Sequence, residues 1–357
     1  MFDCSDDVRA YHDNEVRLSQ KEQDNMRDRR NANRKRLRDG LAKKEKPSPL
    51  EFVKQGSYAM KTMVCDPSND YDIDDGVYFK KEDLVGDRGA EMSSLQARQM
   101  VRDALDDGSF KTPPEVRNNC VRVYYEAGYH VDVPVYRRVA TKDVWGNVTY
   151  HYELGASSGW KRSDARNVTE WFEDERSKSS DKTQLRRVVR EIKKYSKSRD
   201  SWGGCILSGF GITKLVIEKF AVNSNREDKA LYDTMKAIRD RLDYDKSVKH
   251  PVTPGETITN ETSANNYVDP KATFLRDKLN DAINNLAPLF DVDCTREKAL
   301  KCWDKVFSTT FFSARYEPEA KAAASVAAPA VLSSGFWASQ EAAAKDAVRK
   351  EGGGRHA

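Results

Sequence analysis

The chain has 357 residues, 38% of them hydrophobic and 33% charged, which is enough apolar material for one large domain or two ordinary ones and excludes a peptide-sized scaffold. Its 61 Lys and Arg face 57 Asp and Glu, so the net charge of +4 is a small difference between interspersed opposites and excludes a purely electrostatic coat for nucleic acid. The longest apolar run, 205–217, is interrupted by Ser208, Gly209, Gly211 and Lys214 well short of the roughly 20 residues a membrane span needs. The start of the sequence, Met-Phe-Asp-Cys-Ser-Asp-Asp, has no apolar core of a signal peptide, so a cytoplasmic protein without a membrane partner is expected. Cysteines at 4, 65, 120, 205, 294 and 302 never form a Cys-x-x-Cys pair, and the five histidines are equally scattered. The thiols are therefore expected reduced and mostly buried, and any metal must be held by oxygen.

In chain order, residues 5–46 are polar and helix-favouring with a sparse apolar set (Val8, Tyr11, Leu18, Met26, Leu37, Leu41), which predicts one long, partly exposed helix ending at Lys46-Pro47-Ser48-Pro49. Between Arg27 and Lys46 ten Lys or Arg stand against three acids, a pattern that suits a solvated helix face or a phosphate-binding strip. From 50 to about 152 the pattern turns to short β-rich runs at 71–79, 121–125, 129–138 and 148–154 with a helix near 93–105, an α/β unit with a mostly antiparallel sheet. Beyond 163 the periodicity is helical, at 168–176, 183–195, 205–220, 227–242, 272–286 and 295–307, with a loop at 246–266. Residues 317–357 are Ala-rich and end Glu-Gly-Gly-Gly-Arg-His-Ala, too poor in large apolar residues for a core of their own and expected to be a flexible tail. The fold class is thus α+β, divided as 1–49, 50–162, 163–316 and 317–357.

The chemistry is concentrated in Gln55-Gly56-Ser57-Tyr58 and, fifteen residues after the serine, Asp72-Ile73-Asp74-Asp75-Gly76-Val77-Tyr78-Phe79. A Gly-Ser turn opening a short helix at 59–64 offers free N–H groups and a hydroxyl to a phosphate, although the same pair is an ordinary helix cap. Side chains alternate along a strand, so Asp72 and Asp74 share one face while Ile73, Val77 and Phe79 point to the core. Two like charges one pleat apart repel, a cost that divalent cations between them reverse; an acidic solvated turn is the alternative. Asp75 is out of phase with the pair and is assigned to local hydrogen bonding. A third carboxylate, Asp132, stands alone on the polar face of Tyr129-His130-Val131-Asp132-Val133-Pro134-Val135-Tyr136. If the two strands are neighbours, three carboxylates converge in the manner of sites that hold two Mg²⁺ ions roughly 3.5–4 Å apart.

Gly-Ser, a strand with Asp-x-Asp and a later strand with a third Asp resemble the polymerase-β-like nucleotidyltransferases. The longer motifs resemble more specifically the bacterial cGAS/DncV-like nucleotidyltransferases of CBASS anti-phage systems, over about residues 15–315. The resemblance implies a nucleotidyltransferase core with an N-terminal spine helix packed across both lobes and a C-terminal helical lobe. It implies a synthase of cyclic di- or oligonucleotides from NTPs, ATP among them, dependent on two Mg²⁺ ions for which Mn²⁺ substitutes. Asp72 and Asp74 would bind both metals, Asp132 the one that activates the attacking ribose hydroxyl, and Gln55, Gly56 and Ser57 the donor triphosphate. Relatives place a lysine and, about fourteen residues later, a serine near the donor phosphates, here Lys194 and Ser208. Tyr195 and Trp202 could stack on a base but are read as core. In some CBASS operons an E1/E2-like enzyme conjugates the synthase C-terminus, a fate open to Gly352–Ala357. An RNA 3′-end-extending enzyme that uses the 27–46 strip as a track, and a catalytically silent nucleotide-binding scaffold, are the alternatives; no obligate nucleic acid is expected.

Overall fold

The computed structural model describes residues 1–66, 71–86, 89–125, 128–259 and 269–316; the tail at 317–357, with the expected conjugation site, lies outside the described residues. The N-terminal segment is two helices rather than the single one expected, α1 (Ser5–Tyr11, extended by one wide turn to Val16) and α2 (Gln20–Lys43). Ser19 opens α2 through a reciprocal cap with Glu22, a Ser-x-x-Glu signature readable in the sequence. The break lets the two helices serve different cores. Val8, Tyr11 and Val16 pack with Trp303, Phe307 and Phe312 of the helical lobe, whereas Met26, Leu37 and Leu41 pack against the sheet. One straight helix would present a single apolar stripe and could not satisfy both.

The sheet is mixed, built from β1 (Glu51–Lys54), β2 (Tyr71–Lys80), β3 (Glu115–Val116), β4 (Val121–Tyr124), β5 (Tyr129–Val133), β6 (Val135–Lys142), β7 (Val148–Ala156) and β8 (Gly159–Arg162). Five pairings are antiparallel and two are parallel, and both parallel pairings belong to β2. β2 lies beside β5 through its first half, Asp74 opposite Asp132, and beside β6 through its second, Val77 opposite Val135. Pro134 between β5 and β6 has no N–H to donate, but its carbonyl accepts from Val77 N at 2.9 Å, so the register carries through it.

Helix α3 (Gly56–Met60) starts three residues before the expected 59, directly at the Gly-Ser turn. α4 (Ser94–Leu105) covers the sheet beside α2. The strip at 27–46 is not a purely solvated face. The Arg29 guanidinium stacks on Tyr129 at 3.8 Å, Arg36 on Phe110 at 4.3 Å and Arg38 on Phe52 at 4.7 Å, while Arg34 pairs with Asp75. These arginines dock α2 on the sheet. The helical lobe comprises α5 (Ala165–Lys178), α6 (Lys182–Ser196), α7 (Gly209–Lys219), α8 (Glu227–Tyr244), α9 (Pro270–Leu286) and α10 (Arg296–Phe307), close to the periods read from sequence. Cys4, Cys120 and Cys302 are buried and Cys205 is exposed. No described helix is long and apolar enough to cross a membrane.

At Gly40 of α2 a Cβ would stand 1.9 Å from the Ala104 carbonyl oxygen, backbone of α4 that cannot move aside. Gly40→Ala is therefore expected to lower stability by about 1–3 kcal/mol through overpacking, exceeding the roughly 1 kcal/mol that alanine gains over glycine in a helix. The urea midpoint of the full chain measures it, and a midpoint at or above that of the parent would show that the helices do not approach so closely.

Candidate active site

Because β2 and β5 run parallel in register, Asp74 has Asp132 as its cross-strand partner and Asp72 has His130. Asp72 and Asp74 share a face, and all three predicted carboxylates come to one patch at the boundary of the lobes. Burial followed by the charges of Asp132 and Asp72 pushes the Asp74 carboxyl up to about 7. Burial pushes Asp72 upward too, but its hydrogen bond to His130 and the charges of Arg122, His130 and Lys197 outweigh that and hold it below the ordinary carboxylate range. Asp132 is gripped by Arg122 of β4, its own cross-strand neighbour, through Nε at 2.7 Å and Nη2 at 2.8 Å. Arg122 Nη2 also lies 3.2 Å from Asp72.

Gly56 lies directly against this patch. Its φ is +59°, and a Cβ there would stand 2.2 Å from Asp74 Oδ2, so the Gly-Ser turn and the central carboxylate are in contact. Ser57 follows in α3, and its carbonyl accepts from Thr62 N at 2.9 Å. The Gln55 side chain, expected at the donor phosphates, is held by two tyrosines of the sheet. It is buried, accepting from Tyr136 Oη at 3.2 Å and donating to Tyr78 Oη at 3.4 Å. That pair of rings is stacked with centroids 4.5 Å apart, so Gln55 anchors the turn to the sheet. Asp75 is also corrected: its hydrogen bonds are not local but run to Arg34 of α2, at 2.7 and 2.5 Å.

On the helical lobe, Lys194 Nζ donates to Cys65 O at 2.9 Å, and Ser208 caps α7 by accepting from Gly211 N at 3.2 Å. Neither touches the carboxylates. The neighbouring Lys193, passed over in the sequence, is buried and donates to Thr62 O at 2.7 Å; its Cε would lie 3.0 Å from a Cβ on Gly209, beside the Ser208 turn. Burial, then the charges of Lys197 and Arg190, lower the Lys193 ammonium to about 7. Lys193, Lys194, Lys197, Arg199, Cys65 and Leu207 line a cavity of about 790 Å³ between the lobes. Lys197 pairs with Asp66 at 3.0 Å and its charge reaches Asp72, which links cavity and acidic patch. Tyr195 and Trp202 are buried, as read from the sequence.

The patch suits divalent cations in its chemistry. All its donors are hard oxygens, and Asp74, in the middle, has no cationic partner in contact among the described residues. As they stand, no three Asp, Glu, His or Cys side chains among the described residues are gathered into a metal cage, and Asp132 is engaged by Arg122.

The mixed sheet with its flanking helices is a nucleotidyltransferase fold. Residues 50–136 match the family model of the nucleotidyltransferase domain of cyclic GMP-AMP synthase DncV-like proteins. Residues 50–136 are thus similar to a cGAS/DncV-like nucleotidyltransferase domain. Vibrio cholerae DncV, a cyclic AMP-GMP synthase solved with the linear intermediate pppA(3′,5′)pG, is similar at 17% identity over 82% of this chain and 91% of its own, with a TM-score of 0.61. Escherichia coli DncV bound to 3′-deoxy GTP is 18% identical over 82% and 92% with a TM-score of 0.60. E. coli CdnC with ATP is 16% identical over 86% and 98% with a TM-score of 0.61, and CdnC has also been solved in complex with a HORMA protein.

Proposed function

We propose that this protein is a cytoplasmic, Mg²⁺-dependent synthase that joins NTPs into a cyclic di- or oligonucleotide second messenger used in bacterial anti-phage defence. One observation carries the reading: parallel register sets Asp74 beside Asp132 with Asp72 on the same face, under a glycine that contacts Asp74. Asp72, Asp74 and Asp132 would hold the cations, which when bound supply charge stabilisation to the attacking and leaving oxygens of an in-line phosphoryl transfer. Gly56 gives the donor phosphates close access to this patch, with Ser57 at the same turn. Lys194 and Lys197 place positive charge along the cavity wall for a triphosphate. Electrostatic positioning of this kind is most of what the protein must contribute to such a transfer.

The RNA-extending alternative is weakened, since Arg29, Arg34 and Arg38 of the 27–46 strip contact residues of the sheet. A silent scaffold has no reason to maintain Asp74 against two neighbouring carboxylates. The test is incubation of the full chain with each labelled NTP, alone and mixed, with Mg²⁺ or Mn²⁺, followed by phosphatase and chromatography. A phosphatase-resistant product that disappears in Asp132→Asn is the expected outcome. Elongated RNA, or no product differing from Asp132→Asn under any mixture, overturns the proposal.

A further inference from the structure

Two carboxylates of the patch, Asp72 and Asp132, are bridged by a single guanidinium, and the third has none in contact among the described residues. Arg122 meets Asp132 with both prongs, so that each carboxylate oxygen has an N–H within 2.8 Å, a two-point geometry that a metal ion on the same oxygens would have to displace. The grip is built into the sheet. Arg122 and Asp132 are direct partners in the antiparallel β4–β5 pairing, and the arginine side chain is only 22% exposed. By contrast the Asp72 side chain is 52% exposed, and Asp74 forms no ion pair among the described residues.

Resting on the functional reading above, we propose that Arg122 is an internal counter-cation that occupies Asp132 until a metal takes its place. The first cation then enters at Asp72 and Asp74, and the second, which needs Asp132, loads only when Arg122 swings off. Arg122 is in this sense a positioning residue: it fixes the order in which the patch fills and keeps the nucleophile-activating position closed in the empty enzyme. An arginine suits this role because it stays protonated at any physiological pH, so the closure is released by competition and not by titration.

The test is Mn²⁺ binding to the nucleotide-free full chain, followed by the loss of the free-ion electron paramagnetic resonance signal. The parent is expected to bind one Mn²⁺ in the range where Arg122→Gln binds two, with second-site affinity raised at least tenfold in the variant. Adding Asp132→Asn to Arg122→Gln should return the count to one. If Arg122→Gln does not fold, Arg122→Lys keeps a charge without the two-pronged grip and must still raise second-site affinity. Superimposable isotherms for parent and a folded Arg122 variant overturn the proposal. Binding indifferent to Asp74→Asn would instead show that this patch is not the metal site, in which case the functional reading fails first.

Discussion

Asp74→Asn is expected to abolish nucleotide transfer while making the metal-free protein more stable at neutral pH. The two effects come from the same electrostatics. Transfer at a patch that has lost its central carboxylate should fall by on the order of 10³-fold or more, several kcal/mol of transition-state stabilisation. Stability moves the other way because the Asp74 carboxyl is raised to about 7 in the fold by burial, Asp132 and Asp72, against about 3.9 in an unfolded chain. The unfolded state then releases its proton first as pH rises. Below about pH 4 both states are protonated and Asp74 is neutral in its effect; between pH 4 and 7 its burial progressively destabilises the parent, and above 7 the penalty is complete. The asparagine variant carries no such penalty. Its melting temperature should exceed that of the parent at pH 8, by an amount worth on the order of 2–4 kcal/mol, and should converge with it near pH 4. Divalent cations should raise the melting temperature of the parent and leave the variant nearly unmoved. A variant with near-parental turnover, or one less stable than the parent at pH 8 without metal, would remove Asp74 from this role.

Much of this site was legible because strand periodicity is strict. Asp72 and Asp74 had to share a face, and the isolated charge of Asp132 in a valine-rich run could only be a surface or a site. The helical lobe was legible for a similar reason, long amphipathic periods with Ser, Thr or Asp at their starts. What escaped was whatever depends on a partner distant in sequence. Gln55 lies in the motif, yet its side chain is held by Tyr78 and Tyr136, which only the fold brings to it. Asp75 looked local because its partner, Arg34, is 41 residues upstream on another element. Arg122 carried no signal in a Val-Arg-Val-Tyr strand; its register against Asp132 is set by the turn between β4 and β5, not by its own neighbours. The break in the N-terminal helix did carry a signal, the Ser19-x-x-Glu22 cap, which favourable composition across 5–46 obscured. Lys193 and Lys194 are adjacent on a helix, and composition gives no means of deciding which is turned inward. The lobe packed against α6 decides it, burying Lys193 over Thr62 and the Ser208 turn.

Gly56→Ala is expected to reduce turnover by about 10²-fold or more while costing the fold little. The backbone at Gly56 has φ +59°, a conformation in which alanine pays roughly 1–2 kcal/mol. That strain alone would leave an enzyme weakened in stability and intact in chemistry. The decisive distance is the 2.2 Å between the added Cβ and Asp74 Oδ2, with Cγ at 3.2 Å. Either the carboxylate or the turn must move by about an ångström, and a displacement of that size at reacting groups costs on the order of 10²-fold in rate. Gly146→Ala separates strain from collision, because Gly146 has φ +86° and no atom within 4 Å of its added Cβ. The two variants should lose comparable stability, but only Gly56→Ala should lose turnover, and it should also bind Mn²⁺ more weakly, since it disturbs a carboxylate that would hold it. Equal turnover in both would mean that the contact between the Gly-Ser turn and Asp74 has no part in catalysis, and that the turn serves only to start the helix.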